Sequence, residues 1–521
     1  MTARSAATKL GPAKGTLGGG MSDSPLRIAT RFAAVVLVVV ALVLAVRSVL
    51  AGSGPTYDTV IANGRVMDPE SGLDAVRNVG ILNGKIAAIS EHALKGESTI
   101  DAKGLVVAPG FIDPHEHGQE PRNYGFQARD GVTTSLELEG GTDDVNKWYA
   151  EREGKSLVNF GVSVGHIPVR GSVMTHTTGG ALLAERPGAD VEEANHRAAT
   201  PEELAKLKEW IENGMKQGAL AEGMGINYTP GATRWEIVEM FRVAAKYRAP
   251  VHVHLRYAGL IEPETGLNAI EEVIAAAATT GAPLQVVHIT SMGLKNTPQL
   301  IAMVDGAQKR GLDVTTECYP YTAASTALQS AIFDPGWQQR MGIDFKDIQW
   351  ADTGERLTAE TFERYRKQGG IVVIHAIPEE AARTAVASPI VMIGSDGMPI
   401  TGPKIHPRGQ GSYARVLGHY VREEKALDLM SALRKMTLMP AQRLERRAPI
   451  FKNKGRMRVG ADADITIFDA ARVIDKATFD EPLQASEGIP FVLVNGVLVV
   501  KNSQLVEGVL PGRAARAPLT P

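Results

Sequence analysis

The sequence predicts an α/β protein: an eight-stranded TIM-like (β/α)8 barrel, flanked by a small β domain drawn from both ends of the chain and preceded by an N-terminal apolar helix. Three observations carry this expectation. Short apolar strands alternate with amphipathic helical stretches through residues 108–450, the pattern a barrel requires. Strand-and-turn texture with Asn-Gly pairs fills residues 56–107 and returns in 451–521. A basic-then-apolar segment lies at residues 27–46.

The chain has 521 residues, too many for one ordinary core, so two domains and an appendage are expected. Its net charge is −2, and no nucleic-acid-binding motif is present, so no nucleic-acid partner is expected. The single cysteine, Cys318, excludes a disulfide within the chain and a Cys-rich zinc site.

Residues 1–55 form the appendage. The first 30 are rich in Gly, Ser and Ala and predict disorder. Arg27 and Arg31 then precede an uncharged apolar run, residues 32–46. That run is short of the ~20 residues a full span needs. It suits a signal sequence or an uncleaved anchor, with Val49 and Ala51 as the small-residue cleavage pattern. The expectation is membrane anchoring through 32–46 or export, which places the body in the periplasm, outside the cell or on the outer face of a membrane.

In the flanking β domain, "TVIANGRVMD", "VGILNGKIAAIS" and, near the other end, "PFVLVNGVLVVKNSQL" read as strands. Asn-Gly pairs at 63–64, 83–84 and 495–496 mark hairpin-like turns. In the middle, candidate barrel strands end at "FIDPHEH", "TTSLELE", "FGVSVGH", "AEGMGINY", "PVHVHLR", "PLQVVHIT", "DVTTECYPY" and "VMIGSD". A further run, "GIVVIHAI", leaves the strand count open. Helices are expected in "TPEELAKLKEWIENGMKQG" and "TRWEIVEMFRVAAKYR".

Barrel enzymes place their chemistry at the C-terminal ends of strands, and the polar residues cluster there. The first strand supplies His115 and His117, the second Glu139, the fifth His254, the sixth His288 and the eighth Asp396. Alternation puts His115 and His117 on one face, with Asp113 a layer below; Glu137 with Glu139 and His252 with His254 do the same. Buried carboxylates without compensation cost several kcal/mol each, and a divalent cation supplies that compensation. Imidazole and carboxylate ligands suit zinc, as one ion or two, and a carboxylate at 139 could bridge a pair and admit manganese or cobalt. Asp396 is then the proton carrier for a water that attacks a carbonyl. Glu137 is expected a layer deeper than Glu139, bracing a histidine. His166 and His375 read as hydrogen-bonded histidines of the core or loops.

Together, "PGFIDPHEH", "HLR" at 254–256, "QVVHITS", "IGSDG", "ECYPYTAAST" and "HPRGQGSYARVLGHYVRE" resemble the amidohydrolase superfamily. More narrowly they resemble the D-aminoacylase (N-acyl-D-amino-acid deacylase) family, over residues 56–516. The resemblance implies a metal-bearing barrel, a β-sandwich from both chain ends and hydrolysis of the amide of a small N-acyl amino acid. It matches His115, His117, His254 and His288 to ligands and Asp396 to the catalytic aspartate. Three positions depart from the family pattern. The cysteine ligand after strand two is missing, and Glu139 is the proposed substitute. Gly118 stands where an aspartate often follows the histidine pair. Thr290 stands where a lysine often meets the substrate carboxylate. Arg256 or Arg408 is therefore expected to bind that carboxylate, with Tyr228 as a hydroxyl donor. A dipeptide, cyclic amide or amide-linked xenobiotic remains an alternative substrate, and a non-catalytic scaffold a different class of reading. Homo-oligomerisation is left open.

Overall fold

The computed structural model describes residues 36–39, 56–175 and 189–520. The chain enters the body through five strands: β1 (Thr56–Asp68), β2 (Leu73–Leu82), β3 (Lys85–Ser90), β4 (Lys95–Asp101) and β5 (Val106–Pro109). Seven barrel strands follow: β6 (Phe111–Asp113), β7 (Val132–Thr142), β8 (Asn159–Gly165), β9 (Glu222–Gly225), β10 (Val251–His254), β11 (Leu284–Val286) and β12 (Val314–Cys318). An excursion then adds β13 (Ala324–Ala327), β14 (Ile348–Trp350) and β15 (Ile371–Ile374) before the last barrel strand, β16 (Val391–Ile393). The chain returns through β17 (Ile465–Phe468), β18 (Phe491–Val494), β19 (Val497–Lys501) and β20 (Gln504–Leu505).

The barrel sheet runs β6-β7-β8-β9-β10-β11-β12-β16, all parallel. Past the strand ends its first and last members are tied by backbone bonds, Asp396 N–H to His115 O at 2.7 Å and His117 N–H to Gly397 O at 2.8 Å. Closure therefore happens at the end where the polar residues sit. "GIVVIHAI" proves to be β15, the middle strand of a separate three-stranded antiparallel sheet, which settles the strand count.

Local sequence explains the helices between strands. Thr200 caps the helix Pro201–Lys216 through a capping box with Glu203, and Pro201 fills its first turn. Thr233 caps Arg234–Lys246 by accepting the Glu236 N–H. Leu207, Ile211 and Met215 of the first and Ile237, Met240, Phe241 and Ala244 of the second turn inward at helical spacing.

Both chain ends join in one nine-stranded sheet, with β5 pairing antiparallel to β17. Its halves share an aliphatic core that includes Ile61, Val66, Val79, Ile81, Ile465, Ile467 and Leu493. Two of the Asn-Gly pairs, 83–84 and 495–496, have positive φ at both residues, as tight hairpins need. The third does not make a hairpin. Asn63-Gly64 lies within β1 at a bulge opposite β2, and a Cβ on Gly64 would meet Val107 at 2.3 Å. After β20 the tail runs back along the barrel, where Ala515 N–H donates to Phe160 O at 2.7 Å.

The apolar segment 32–46 lies outside the described residues except for the helical stretch 36–39, whose side chains are exposed. Among the described residues no helix is long and apolar enough to cross a membrane.

Candidate metal centre

Two ligand sets meet at the barrel mouth, and both contain Glu139. The first is His115, His117, Glu139 and Asp396; the second is Glu139, His254 and His288. Within each set one donor atom per residue lies within 4.8 Å of the others. The Glu139 Oε2 atom is 2.7 Å from His115 Nε2, 3.3 Å from His117 Nε2 and 3.7 Å from His288 Nε2. Its other oxygen is 2.9 Å from His254 Nδ1. Asp396 Oδ1 stands 3.4 Å from both His115 Nε2 and His117 Nε2.

Strand ends aim these groups. His288 and Asp396 both adopt left-handed backbone, φ 31° and 52°, in the turns that leave β11 and β16. Non-glycine residues take that region rarely, and it concentrates at functional sites. Ser291 Oγ lies 2.9 Å from His288 Nδ1, which leaves Nε2 turned toward Glu139.

An outer layer of carboxylates orients the inner histidines. Glu317 Oε1 is 2.6 Å from His115 Nδ1, and the other oxygen of Glu317, Oε2, accepts from Gln285 Nε2 at 2.6 Å. Glu137 Oε2 is 2.7 Å from His117 Nδ1. Such partners fix the tautomer and ring direction of a ligand histidine. Glu137 has the bracing contact expected of it but not the expected depth: it is the more exposed of the two glutamates, 8% against 2% for Glu139. The β7–β8 register shifts between Glu137 and Thr142, so simple alternation fails there. Sequence reasoning passed over Glu317, although the pattern "VTTEC" already sets Thr315 and Glu317 on one face. His252 lies buried below with neither ring nitrogen bonded.

The electrostatics show a site short of positive charge. Burial alone would raise Glu139, yet the His115 charge and hydrogen bonds from three imidazoles hold it well below the usual carboxylate range. Burial pulls His115 down, and Asp396 and Glu139 more than reverse that; Glu137 and Asp396 do the same for His117. Asp396 is also kept ionised against burial, first by Arg408 and then by His115.

A cavity opens on this cluster. His117, Glu139, His254, His288 and Asp396 form its floor; Tyr228, Tyr319, Ser325 and Thr326 stand at the side, and Ile332, Met341 and Ile374 are apolar lining. Tyr228 is where it was expected, its hydroxyl 2.9 Å from Thr326 Oγ1 and its ring against His254. Arg408 is 1% exposed, pairs with Asp396 at 2.9 Å and lies over the Tyr319 ring. Its Nε and Nη1 have no partner. Arg256 departs from expectation: its guanidinium is closed by both oxygens of Glu272, at 2.7 and 2.9 Å, and it does not line the cavity. Leaving β10 two residues after His254 was not enough, because the helix Gly266–Thr280 supplies a nearer carboxylate. Thr290 is fully buried and also absent from the lining.

The amidohydrolase family model matches residues 98–500. This chain belongs to that family. It is a hydrolase of carbon–nitrogen bonds. The chain is similar to the N-acyl-D-glutamate deacylase of Alcaligenes xylosoxydans xylosoxydans, 32% identical over 495 residues, 88% of this chain and 96% of that one. It is also similar to a solved N-acyl-D-glutamate deacylase from Bordetella bronchiseptica, complexed with zinc and a phosphonate mimic of the tetrahedral intermediate. That likeness has a TM-score of 0.75 at 28% identity and covers 89% of this chain and all of that one. A D-aminoacylase with a binuclear metal centre matches at TM-score 0.74 and 25% identity, over 88% of this chain and 100% of that one.

Proposed function

We propose that this amidohydrolase cleaves the amide bond of N-acyl amino acids, with N-acyl-D-amino acids as its substrate class, at a zinc centre that His115, His117, Glu139, His254, His288 and Asp396 would hold. The observation that carries the reading is the pair of ligand sets joined at Glu139 under one cavity. The names of its relatives support the substrate class. The donors fit the metal: four imidazoles and two carboxylates, all nearly buried, with His254 Nε2 left without a partner. His115, His117, Glu139 and Asp396 would hold one ion, and Glu139, His254 and His288 the other. Hard carboxylate oxygens in place of a thiolate also suit manganese or cobalt. A divalent ion so held supplies Lewis acidity for the scissile carbonyl and acidifies water.

The protein groups do the rest. Asp396, ionised and aimed into the cavity, takes the proton of the attacking water and returns it to the leaving nitrogen. Arg408 stands behind the lining, paired with Asp396, and its unbonded Nε–H and Nη1–H are the donors assigned to the substrate carboxylate, together with the unbonded Ser325 hydroxyl in the lining. Tyr228 donates to the acyl side, and the apolar lining excludes water. A second reading, a neutral amide as substrate, is favoured by one observation: among the described residues no lysine or arginine lines the cavity. On sequence grounds the 27–46 segment supports a place outside the cytoplasm, which fractionation of the native protein tests.

Amine release from N-acyl-D-amino acids, N-acyl-L-amino acids and neutral amides, scored with metal content, tests the reading. The D series should be preferred, and Arg408→Met should raise KM about 30-fold for it but not for neutral amides, while kcat falls for both because Asp396 loses the cation that keeps it ionised. Full activity in exhaustively chelated, metal-free protein would refute the metal mechanism. A preference for neutral amides would transfer the conclusion to the second reading.

A further inference from the structure

Between the two ligand histidines stands Glu116, which faces away from the cluster and is fully buried. Its Oε1 accepts the Gly118 N–H at 2.7 Å, and its Oε2 accepts the Ser395 hydroxyl at 3.0 Å. Ser395 Oγ in turn accepts the Gly397 N–H at 3.0 Å and lies 3.2 Å from His115 O. Asp396 sits inside this ring of contacts, in the left-handed conformation already described. The space around Glu116 is cut to fit. A Cβ at 397 would lie 1.9 Å from Glu116 Oε2, and one at 118 would lie 2.5 Å from Oε1. At 118 the Asn123 side chain is nearer still, its Nδ2 at 1.9 Å, so Gly118 is held bare by Asn123 and Glu116 together, whereas at 397 all three nearest atoms belong to the Glu116 carboxyl.

We infer that Glu116 is a positioning residue: through Ser395 and Gly397 it locks the turn after β16, which holds Asp396 in its left-handed conformation with its carboxylate in front of His115 and His117. A single strained residue needs its surroundings to over-determine it. The backbone bonds to His115 and His117 fix the turn from one side, and Glu116 fixes it from behind. A displacement of about 1 Å at such a group costs on the order of 100-fold in rate. The inference rests on Asp396 being the proton carrier.

Steady-state kinetics, metal content and thermal unfolding of Glu116→Ala, Glu116→Gln, Ser395→Ala and the Glu116→Ala/Ser395→Ala double variant test it. Glu116→Ala should lose kcat about 100-fold with KM within about twofold and metal retained. Glu116→Gln keeps an acceptor for Gly118 and a partner for Ser395, so it should stay within about threefold of the parent. The double variant should be no worse than the poorer single one, because both cut the same link. If Glu116→Ala does not fold, Ser395→Ala, which opens less space, should still show the kcat loss without a KM change. Parental kcat in Glu116→Ala, a loss that only tracks lost metal, equal damage from Gln and Ala, or additive losses would each overturn the inference. Asp396→Asn is measured alongside. If it keeps kcat, the proton-carrier reading fails; if it is inactive while Glu116→Ala is active, only the lock fails.

Discussion

In the nine-stranded sheet, Ile61, Val66, Val79, Ile81, Ile465 and Ile467 share one core and are at most 1% exposed. At the barrel mouth the inward places go to His115, Glu139, His254, His288 and Asp396, which are 7% exposed or less. Both regions use strand alternation, and both exclude water. The first gains about 25 cal/mol for each Å² of apolar surface it buries. The second gathers carboxylates and imidazoles whose burial costs several kcal/mol per charge unless they are paired. A protein that retains such a cluster draws its stability elsewhere and uses the mouth for chemistry. Substitutions in the two regions should therefore separate cleanly into losses of rate and losses of stability.

The largest effect is expected at the mouth. Asp396→Asn should lower kcat about 10³- to 10⁴-fold while leaving fold and most of the metal in place, because the attacking water loses its base. Circular dichroism, metal analysis and kinetics together check it; near-parental kcat would remove Asp396 from the mechanism.

Next comes the reverse case. Ile465→Ala, in the aliphatic core of the sheet, should cost about 3 kcal/mol of unfolding free energy through lost burial and the cavity left behind. Its kcat per folded molecule should not change. A large kcat loss would mean that the sheet and the mouth are coupled.

A third test sharpens the comparison with a carboxylate that belongs to neither pattern, whose effect is spread over several pH units. Glu222 lies in β9 in register with Val251, hence facing away from His252. Neither of its oxygens has a partner, and burial pushes it from 4.5 up to about 8. The folded state then keeps this proton through the window in which the unfolded chain releases it. Stability should fall as pH rises from about 4.5 to about 8, by up to ~1.4 kcal/mol per pH unit. Glu222→Gln should flatten that part of the profile without touching kcat. An unchanged slope in denaturant unfolding against pH would assign the dependence to other groups.

Chain pattern alone was enough for the barrel, for the joining of both chain ends and for the residues at the mouth, because period-two alternation and strand ends are local properties. It sufficed for His115 and His117, which lie two residues apart, for His254, which closes β10, and for His288 and Asp396, which lie just past the ends of β11 and β16. The resemblance added the chemistry. Local pattern failed where a contact depends on a distant partner or on an irregularity. Arg256 was lost to Glu272, sixteen residues on and one helix away. Glu137 and Glu139 exchanged depth because β7 bulges. Asn63-Gly64 became a bulge because Val107 packs against it. The roles of Glu317 and Glu116 needed β12 and the turn after β16 brought alongside β6, across 202 and 279 residues of chain. Residue order sets which side chains leave a strand on which face. Only closure of the barrel decides which of them meet, since that depends on pairings made hundreds of residues apart.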